Sequence, residues 1–325
     1  MGDPASILTE RQIRSQYLGL LRESYGEMPA WLKLITDTIK DASDRERIPW
    51  LGGFTSGMKE RTGSGIRNTV AARYVDATVV EYEDGGELPQ SLIRRSKFAS
   101  ITREKMLRAL AMSEMEHWEE LYMALIDAGA STACYDGQYF FDTDHADSDG
   151  SYTTAQSNKV NIDISEYPSV KSGSTTLPSA EDLIVASAKL IIEHLMKFRN
   201  NHGKYVNRHA KHFVALFPSS YFLAACGARD ASQVGNGASN ILNAMLKKSG
   251  FTLDIEHSPM LSWTDRFAVF RADYPMKPFI GIEEKLEPEI KTKIYTPQNS
   301  DDAKRREIVG VELRANRTVK CGPWQ

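Results

Sequence analysis

The segment Tyr135-Asp-Gly-Gln-Tyr-Phe-Phe-Asp-Thr-Asp-His145 decides how the rest of the chain is interpreted, because it combines possible metal ligands with a tight turn. Its carboxylates and imidazole, and the acids behind them, are ligand types for divalent cations. These residues are Asp136, Asp142, Asp144, His145, Asp147 and Asp149. An EF-hand starting at Asp142 fails, since Ala146 and Asp147 fall where an acid and a glycine are required. We therefore predict a polar turn with His145 hydrogen-bonded to backbone.

Upstream of this segment, apolar residues recur at helical spacing from Thr102 to Ala128. A helix of that span is about 40 Å long, well above the usual length in globular proteins. Gly129 follows in the position of a C′ residue. The pattern predicts one long helix that ends where the polar segment begins.

The N-terminal third predicts two helices and a strand. Thr9 and Gln12 fit a capping box for the first helix, and Pro29 begins a second that carries Ile39. Residues 69–82 are rich in β-branched and aromatic types, which predicts one long strand. Asp84-Gly85-Gly86 is a turn signal that closes it.

Beyond the polar segment, short helices alternate with short strands. One helix is predicted to start within 178–182 and to continue through the apolar face at 183–198. Two others are predicted over 219–225 and 241–248, the last ending at Gly250. Strands are predicted over 212–217, 251–256, 267–271, 278–283 and 307–314. The closing strand has no local partner, so we expect it to pair with a segment far back in the chain.

Composition and motifs argue against most kinds of chemistry. The net charge of -3 lacks the basic excess of a dedicated nucleic-acid binder. Cys134, Cys226 and Cys321 have no zinc-type or disulfide-framework spacing, and we interpret them as reduced thiols. His209 and His212 are interpreted as solvated, and Thr62-Gly-Ser-Gly65 as a loop without a phosphate-binding lysine. No catalytic, cofactor-binding or metal residue is assigned, and no cofactor is expected.

Targeting signals are also missing from the sequence. Met1-Gly-Asp-Pro lacks a signal peptide, and the apolar run Leu183–Met196 is too short and too polar to span a bilayer. We expect a soluble protein without membrane partners. A start at Met1 leads us to expect that no N-terminal scaffold segment has been removed.

Five short motifs, in order, resemble those of Mu-type bacteriophage major head subunits. They are Pro49-Trp-Leu-Gly52 with Phe54, Asp136-Gly-Gln138 with Phe140-Phe141 and Asp144-His145, Val214-Ala-Leu-Phe-Pro218, Pro275-Met-Lys-Pro-Phe-Ile280, and Val309-Gly-Val-Glu-Leu-Arg-Ala315 with Gly322-Pro-Trp-Gln325. The loop after Gly52 lacks the tryptophan of the family pattern and is left unaligned.

The resemblance implies an α+β fold of the Hong Kong 97 capsid type. Its parts would be an N-terminal arm (1–48), an extended loop (49–92), a peripheral domain with a long spine helix (93–130), an axial domain (131–285) and a return to the peripheral domain (286–325). The amphipathic start, the long strand beside glycine-rich chain and the long helix agree with that order.

The resemblance also implies a function: a non-enzymatic capsid subunit that assembles with itself, as hexamers and pentamers, into the icosahedral shell of a tailed phage. It would be found in the virion, assemble in the host cytoplasm, work with portal and scaffold proteins and contact packaged double-stranded DNA non-specifically. Arg94-Arg95 and Lys304-Arg-Arg306 are solvated faces or DNA-facing charges. No covalent cross-link is expected.

Two alternatives remain at this stage. An encapsulin-like compartment shares the same fold. Purified particles that carry a cargo protein instead of DNA would identify it. A divalent-metal hydrolase would use the Asp136–His145 cluster, and metal analysis of Asp144→Ala and His145→Ala would test it.

Overall fold

A computed structural model describes residues 10–51, 72–91, 99–146, 152–162, 180–200, 202–233, 239–297 and 299–324. The helices are α1 (Glu10–Glu27), α2 (Ala30–Ile35), α3 (Ala99–Asp127), α4 (Ala180–Lys189), α5 (Phe222–Asp230), α6 (Ile241–Ser249), α7 (Pro288–Lys291) and α8 (Asp301–Arg306). The strands are β1 (Thr36–Ala42), β2 (Arg45–Leu51), β3 (Ala72–Thr78), β4 (Val80–Pro89), β5 (His212–Pro218), β6 (Thr252–Ser258), β7 (Ala268–Arg271), β8 (Phe279–Glu284), β9 (Thr292–Tyr295) and β10 (Ile308–Cys321).

The predicted long helix is confirmed as α3, which has 29 residues and is about 43 Å long. Its apolar stripe, which includes Leu107, Ala111 and Trp118, is buried. Gly129 is not the left-handed C′ residue that was predicted, because a 3-10 turn continues over Ala128–Ala130. Glycine is needed there for another reason, since a Cβ atom would lie 2.7 Å from the Phe141 ring.

The main sheet has the strand order β1-β8-β10-β4, with β9 also paired to β10. Strand β10 is central and long. It pairs antiparallel with β4 along Ile308–Arg317 and with β8 along Arg317–Cys321. The predicted distant partner of the closing strand is therefore β4, more than 200 residues earlier. This strand runs well past the predicted end at residue 314.

The predicted turn at Asp84-Gly85-Gly86 is wrong, because these residues lie inside β4 opposite Val311–Leu313. The two glycines let β4 pair closely with β10 and pack against α3. A Cβ atom on Gly85 would be 3.1 Å from the Val311 carbonyl oxygen, and one on Gly86 would be 3.0 Å from Met106. Here glycine marks close packing on both sides and not a reversal of the chain.

Four other local predictions are also corrected. Ile39 lies in β1 and not in a helix, because β1 pairs in parallel with β8 and Ile39 lies opposite Ile282. The single strand predicted over 69–82 is divided at Val79 into β3 and β4, and residues 69–71 are outside the described ranges. The helix predicted to end at Ala225 continues to Asp230. The helix predicted over 183–198 is α4, followed by a π turn and a 3-10 turn.

A second, three-stranded sheet has the order β6-β5-β7. Strand β5 is parallel to β6 and antiparallel to β7, and its residues Phe213–Phe217 are fully buried. Helices α4, α5 and α6 contact one another, and α5 also contacts β5 and β6. The predicted end of α6 at Gly250 is confirmed, and Gly250 is left-handed there. This is the α/β segment expected between the long helix and the closing strand.

Strands β2 and β3 form an antiparallel hairpin with seven residue pairs, from Arg45↔Thr78 to Leu51↔Ala72. Near its base, Ala77 is buried against Ala42 and Ile282. Farther along, Tyr74 is half exposed, and Arg47 donates to Asp76 at the surface. The hairpin thus joins the main sheet at its base and presents polar and aromatic side chains to solvent.

The sheet pairing bears on two of the predicted boundaries. Strand β1 lies in the range predicted for the arm, and β8 in the range predicted for the axial domain. Both are strands of the main sheet, because β8 joins β1 to β10. None of the helices in the described ranges combines the length and the apolar character that a bilayer span requires.

Candidate functional sites

A cluster of buried charges lies between α3 and the main sheet. Arg317, on β10, has no solvent exposure and donates to Glu114 of α3 at 2.9 Å (Nη2 to Oε1). Its guanidinium carbon is 4.7 Å from the centre of the Trp118 ring. Lys291 lies 3.3 Å from Glu114 and 3.0 Å from Glu283. These contacts tie the long helix, β8, α7 and β10 together.

The N-terminal helix is attached to the same cluster. Tyr17 is fully buried and donates its hydroxyl hydrogen to Glu114. Around it, Ile13, Leu20 and Leu21 of α1 share an apolar core with α3 residues such as Leu107. Helix α1 is therefore anchored to the body through both an apolar face and one buried hydrogen bond.

The charge cluster shifts the pKa values of its members. Burial raises the pKa of Glu114, but the attraction of Lys291 and Arg317 and the Tyr17 hydrogen bond outweigh it, so that its pKa lies below the usual range. Burial lowers the pKa of Lys291, yet Glu114 and Glu283 raise it more, and the net shift is upward. Burial, reinforced by Glu114, also raises the pKa of Tyr17.

These shifts predict how stability depends on pH. A lowered carboxyl pKa stabilises the fold above about pH 4.5, and this contribution is lost as the pH falls through the folded-state value. The raised pKa of Lys291 stabilises below about pH 10.5 and is lost as the pH rises further. We expect the urea concentration at the unfolding midpoint to fall as the pH drops below about 4.5, and to fall less steeply with pH in Glu114→Gln. An equally steep fall in the two proteins would contradict this assignment.

The second candidate site joins two of the sequence motifs. His145 is completely buried, and its Nδ1 lies 2.7 Å from Oδ2 of Asp136. Its Nε2 is 3.2 Å from the Phe140 carbonyl oxygen, which confirms the predicted bond to backbone. The ring stacks on Trp324 with centroids 4.2 Å apart. We call Asp136, His145 and Trp324 the motif junction.

Close backbone contacts hold the C-terminal side of the motif junction. The Gly322 amide donates to the Pro278 carbonyl oxygen at 2.7 Å. A Cβ atom on Gly322 would be only 2.4 Å from the Lys277 carbonyl oxygen, so a larger residue does not fit. Trp324 also meets Phe198 edge to face at 5.3 Å. The junction therefore fastens β10 to the segment that follows α3.

The acidic residues around His145 do not assemble into a metal site in the described part of the chain, where no group of three suitable ligands occurs. Asp142 caps the turn by accepting from Thr143 and Tyr139, while Asp144 is exposed. Asp147 and Asp149 lie outside the described residues. The arrangement supports the predicted polar turn.

Adjacent residues of this turn should respond very differently to substitution. His145→Ala removes the Asp136 contact and the ring that stacks on Trp324, and we expect it to lower the free energy of unfolding by about 2 to 3 kcal/mol. Asp144→Ala, at the exposed neighbour, should change it by about 0.5 kcal/mol or less. Chemical denaturation would measure both. A large loss in Asp144→Ala, or bound metal that is lost with it, would revive the hydrolase hypothesis.

The remaining sequence candidates are dispersed. His212 is partly exposed and lies 2.7 Å from Asp254 (Nε2 to Oδ2), whereas His209 is exposed. The basic run on α8 is exposed, and Arg306 pairs with Glu87 at 2.6 Å. Thr62–Gly65 and Arg94-Arg95 lie outside the described residues. The structure thus gathers none of these residues into a common site.

Sequence inspection missed the buried charge cluster, although a signal was present. Alternate residues of β10 from Val311 through Leu313 lead to Arg317 on the same face of the strand. Glu114 likewise falls in the apolar stripe of α3, between Ala111 and Trp118. A cation and an anion at apolar positions of two distant elements indicate a buried pair.

Comparison with known proteins shows which proteins the chain is similar to. The profile of the Mu-like prophage major head subunit gpT matches residues 14–168. Over this range the chain is similar to the Mu-like major head subunits. The Mu-like prophage FluMu major head subunit of Haemophilus influenzae is 25% identical over 157 residues, which are 46% of this chain and 50% of that protein. The chain thus matches about half the length of this curated relative.

Solved structures show the fold. The bacteriophage JBD30 capsid aligns with a TM-score of 0.52 and 16% identity, over 72% of this chain and 91% of the capsid chain. The mature capsid of bacteriophage PhiM1 aligns with a TM-score of 0.50 and 12% identity, over 91% and 85%. The predicted α+β capsid fold of the Hong Kong 97 type is confirmed. The matched range of the Mu-like head subunits includes the Asp136–His145 motif, and the three motifs after it lie outside that range.

Proposed function

We propose that this protein is the major head subunit that builds the icosahedral shell of a tailed bacteriophage. The observation that carries this proposal is the match to the Mu-like head subunits over residues 14–168 on a chain with the capsid fold. The work of such a subunit is self-association and not catalysis. Its functional surfaces are therefore those that it presents to copies of itself.

The hairpin β2–β3 supports this proposal. It leaves the main sheet beyond Ala77, and Tyr74 and Val80 are half exposed along it and just after it. Exposed aromatic residues on an extended hairpin are typical of surfaces that are buried by a neighbouring subunit. Head-to-tail contacts that close into rings of five and six subunits would cover this hairpin, with more than about 2,000 Å² buried in total.

We further propose a division of the chain for this function. Helix α1 would be the arm, the hairpin the extended loop, and α3 with the main sheet the peripheral domain. The axial domain would contain the β6-β5-β7 sheet and end before β8. Strand β1 would belong to the peripheral domain. A deletion of residues 1–40 would remove most of β1 and also α2, which carries the core residues Leu32 and Ile35.

The same proposal includes partners and location. The subunit would assemble in the host cytoplasm with portal and scaffold proteins, reside in the virion, and contact double-stranded DNA through non-specific phosphate contacts. Electron microscopy of the expressed protein tests the central claim, and closed shells are the expected result. Shells that contain DNA in infected cells support a head, whereas shells that carry a cargo protein would favour an encapsulin-like compartment.

A substitution on the hairpin tests the assembly surface. Tyr74→Glu places a charge on the half-exposed ring position, and we expect it to abolish shells because a buried unpaired charge is costly. The melting temperature of the isolated subunit should change by about 2 °C or less, since the site is exposed in the monomer. Tyr74→Phe keeps the ring and should still form shells. Normal shells from Tyr74→Glu would exclude this surface.

A further inference from the structure

His117 lies on α3 at the point where β4 and β10 meet the helix, and it is partly buried. Its Nδ1 is 3.5 Å from Nη1 of Arg317 on β10, and its ring meets the Tyr82 ring of β4 edge to face at 4.2 Å. Tyr82 pairs with Ala315, two residues before Arg317, so both side chains lie on the face of the sheet that α3 covers. One imidazole therefore contacts both strands from the helix.

The contact with Arg317 fixes the protonation state of this histidine. A guanidinium has N–H donors and no acceptor, so Nδ1 of His117 must accept the hydrogen bond and carries no proton. The neutral ring then has its proton on Nε2. Nη1 of Arg317 also donates to the Glu114 carbonyl oxygen at 2.9 Å, which holds the guanidinium in place beside the ring. A second proton on the imidazole would point directly at a cation.

The buried charge cluster offers no support for a protonated ring. In it, two cations, Arg317 and Lys291, contact two carboxylates, Glu114 and Glu283. A protonated His117 would add a third cation to a set of charges that is already balanced. Burial lowers the pKa of His117, Arg317 lowers it further, and these effects outweigh the attraction of Glu114. The geometry and the charges thus favour the same neutral state.

The other titratable groups around the ring lie at the surface or point elsewhere. The phenol of Tyr82 faces the imidazole from β4. Asp84, two residues further along the same strand, is exposed, as is Glu120, one turn further along α3. Glu81 and Glu83 lie on the opposite face of β4, because side chains alternate along a strand. Solvent screens the exposed carboxylates, so they compensate a charge on His117 only weakly.

We propose that His117 is a pH-sensitive latch that holds β4 against α3 while its ring is neutral and releases the strand when the ring is protonated. Tyr82 is three residues beyond Val79, where β4 follows β3, so the latch lies at the base of the hairpin β2–β3. Its stabilising contribution is complete above about pH 6.5 and is lost as the pH falls through the folded-state pKa. The contribution of Glu114 is lost only below about pH 4.5, so the two effects are separate.

Hydrogen exchange of the full-length native protein tests the latch, with each rate divided by the intrinsic rate at the same pH. From about pH 7.5 to about pH 5.5, we expect the protection of Val80–Asp84 to fall by about five- to tenfold, the change that a moderate difference in pKa produces. His117→Gln keeps an uncharged acceptor for Arg317 and should abolish this pH dependence. His209→Gln replaces an exposed histidine and should retain it.

A second contact between the same two elements provides the matched control. Ser113 of α3 donates its hydroxyl hydrogen to Asp84 of β4 at 2.7 Å, and neither side chain titrates in this pH range. Ser113→Ala should therefore lower the protection of β4 by the same factor at both pH values. The fall between the two pH values should remain as large as in the wild type.

Nitrogen NMR of the histidine rings in the unassembled wild-type subunit gives a direct reading of the proton. At about pH 7.5 we expect His117 to have its proton on Nε2 and none on Nδ1, and its titration midpoint to lie below about pH 6.5. A proton on Nδ1, or a midpoint at or above that value, would overturn the proposal. A pH dependence of β4 protection that persists in His117→Gln would also overturn it. None of these measurements requires shells, so the outcome is separate from that of the assembly test.

Discussion

Glu114→Ala is expected to lower the free energy of unfolding by about 3 to 5 kcal/mol, because it leaves a buried cation without its closest partner. Arg317 has no solvent exposure, and its next carboxylate, that of Glu283, is 3.6 Å away. The same substitution removes the acceptor of the Tyr17 hydroxyl. Urea unfolding followed by circular dichroism would measure the loss.

A surface ion pair provides the matched control. Glu87 binds Arg306 at 2.6 Å, closer than the Glu114 pair, but both side chains are about half exposed. Glu87→Ala should therefore cost about 1 kcal/mol or less, since solvent screens such pairs. If the two variants lost equal stability, burial would not be the source of the effect. Glu114→Leu combined with Arg317→Met should recover much of the loss by removing both charges.

Gly281→Ala is expected to lower the free energy of unfolding by about 3 kcal/mol, which is large for one added methyl group. Gly281 lies in β8 under the long helix. Its Cβ atom would be 2.3 Å from the Tyr122 hydroxyl oxygen and 2.8 Å from the Trp118 ring. That hydroxyl donates to the Asp37 carbonyl oxygen of β1, so its displacement also disturbs the sheet edge.

The same substitution elsewhere in the chain should have the opposite sign. Gly19 lies inside α1, is exposed, and has no atom within 4 Å of an added Cβ. Gly19→Ala should stabilise the protein by about 0.5 to 1 kcal/mol, because alanine favours the helix and restricts the unfolded chain. Thermal unfolding of both variants measures the contrast. A neutral Gly281→Ala would mean that α3 does not lie so close to β8.

The parts of the fold that could be predicted are those with a local signal. Helix α3 follows from its repeating apolar stripe, and the end of α6 follows from Gly250. Strand β4 could not be placed, because Gly85 and Gly86 have the same sequence signature whether they form a turn or pass under a helix. Only the presence of Met106 and Val311, which come from distant parts of the chain, separates the two cases.

The candidate sites follow the same rule. The Asp136–His145 contact spans nine residues, and its polar turn could be inferred from sequence. Trp324 stacks on that histidine from the other end of the chain, and no pattern near His145 indicates which aromatic residue covers it. The Arg317–Glu114 pair could be suspected from the two periodicities, but its partners could be matched only in three dimensions.

The pairing order of the main sheet has a consequence during synthesis. Strand β1 finds its partner β8 more than 230 residues later, and β4 waits for β10. At about 5 to 20 residues per second, Trp31, Leu32 and Ile35 lack the part of their core that begins at Phe279 for roughly 12 to 50 s. A nascent chain that stalls before residue 308 lacks the central strand of the sheet. Such a truncated chain would leave both β4 and β8 without the strand that joins them.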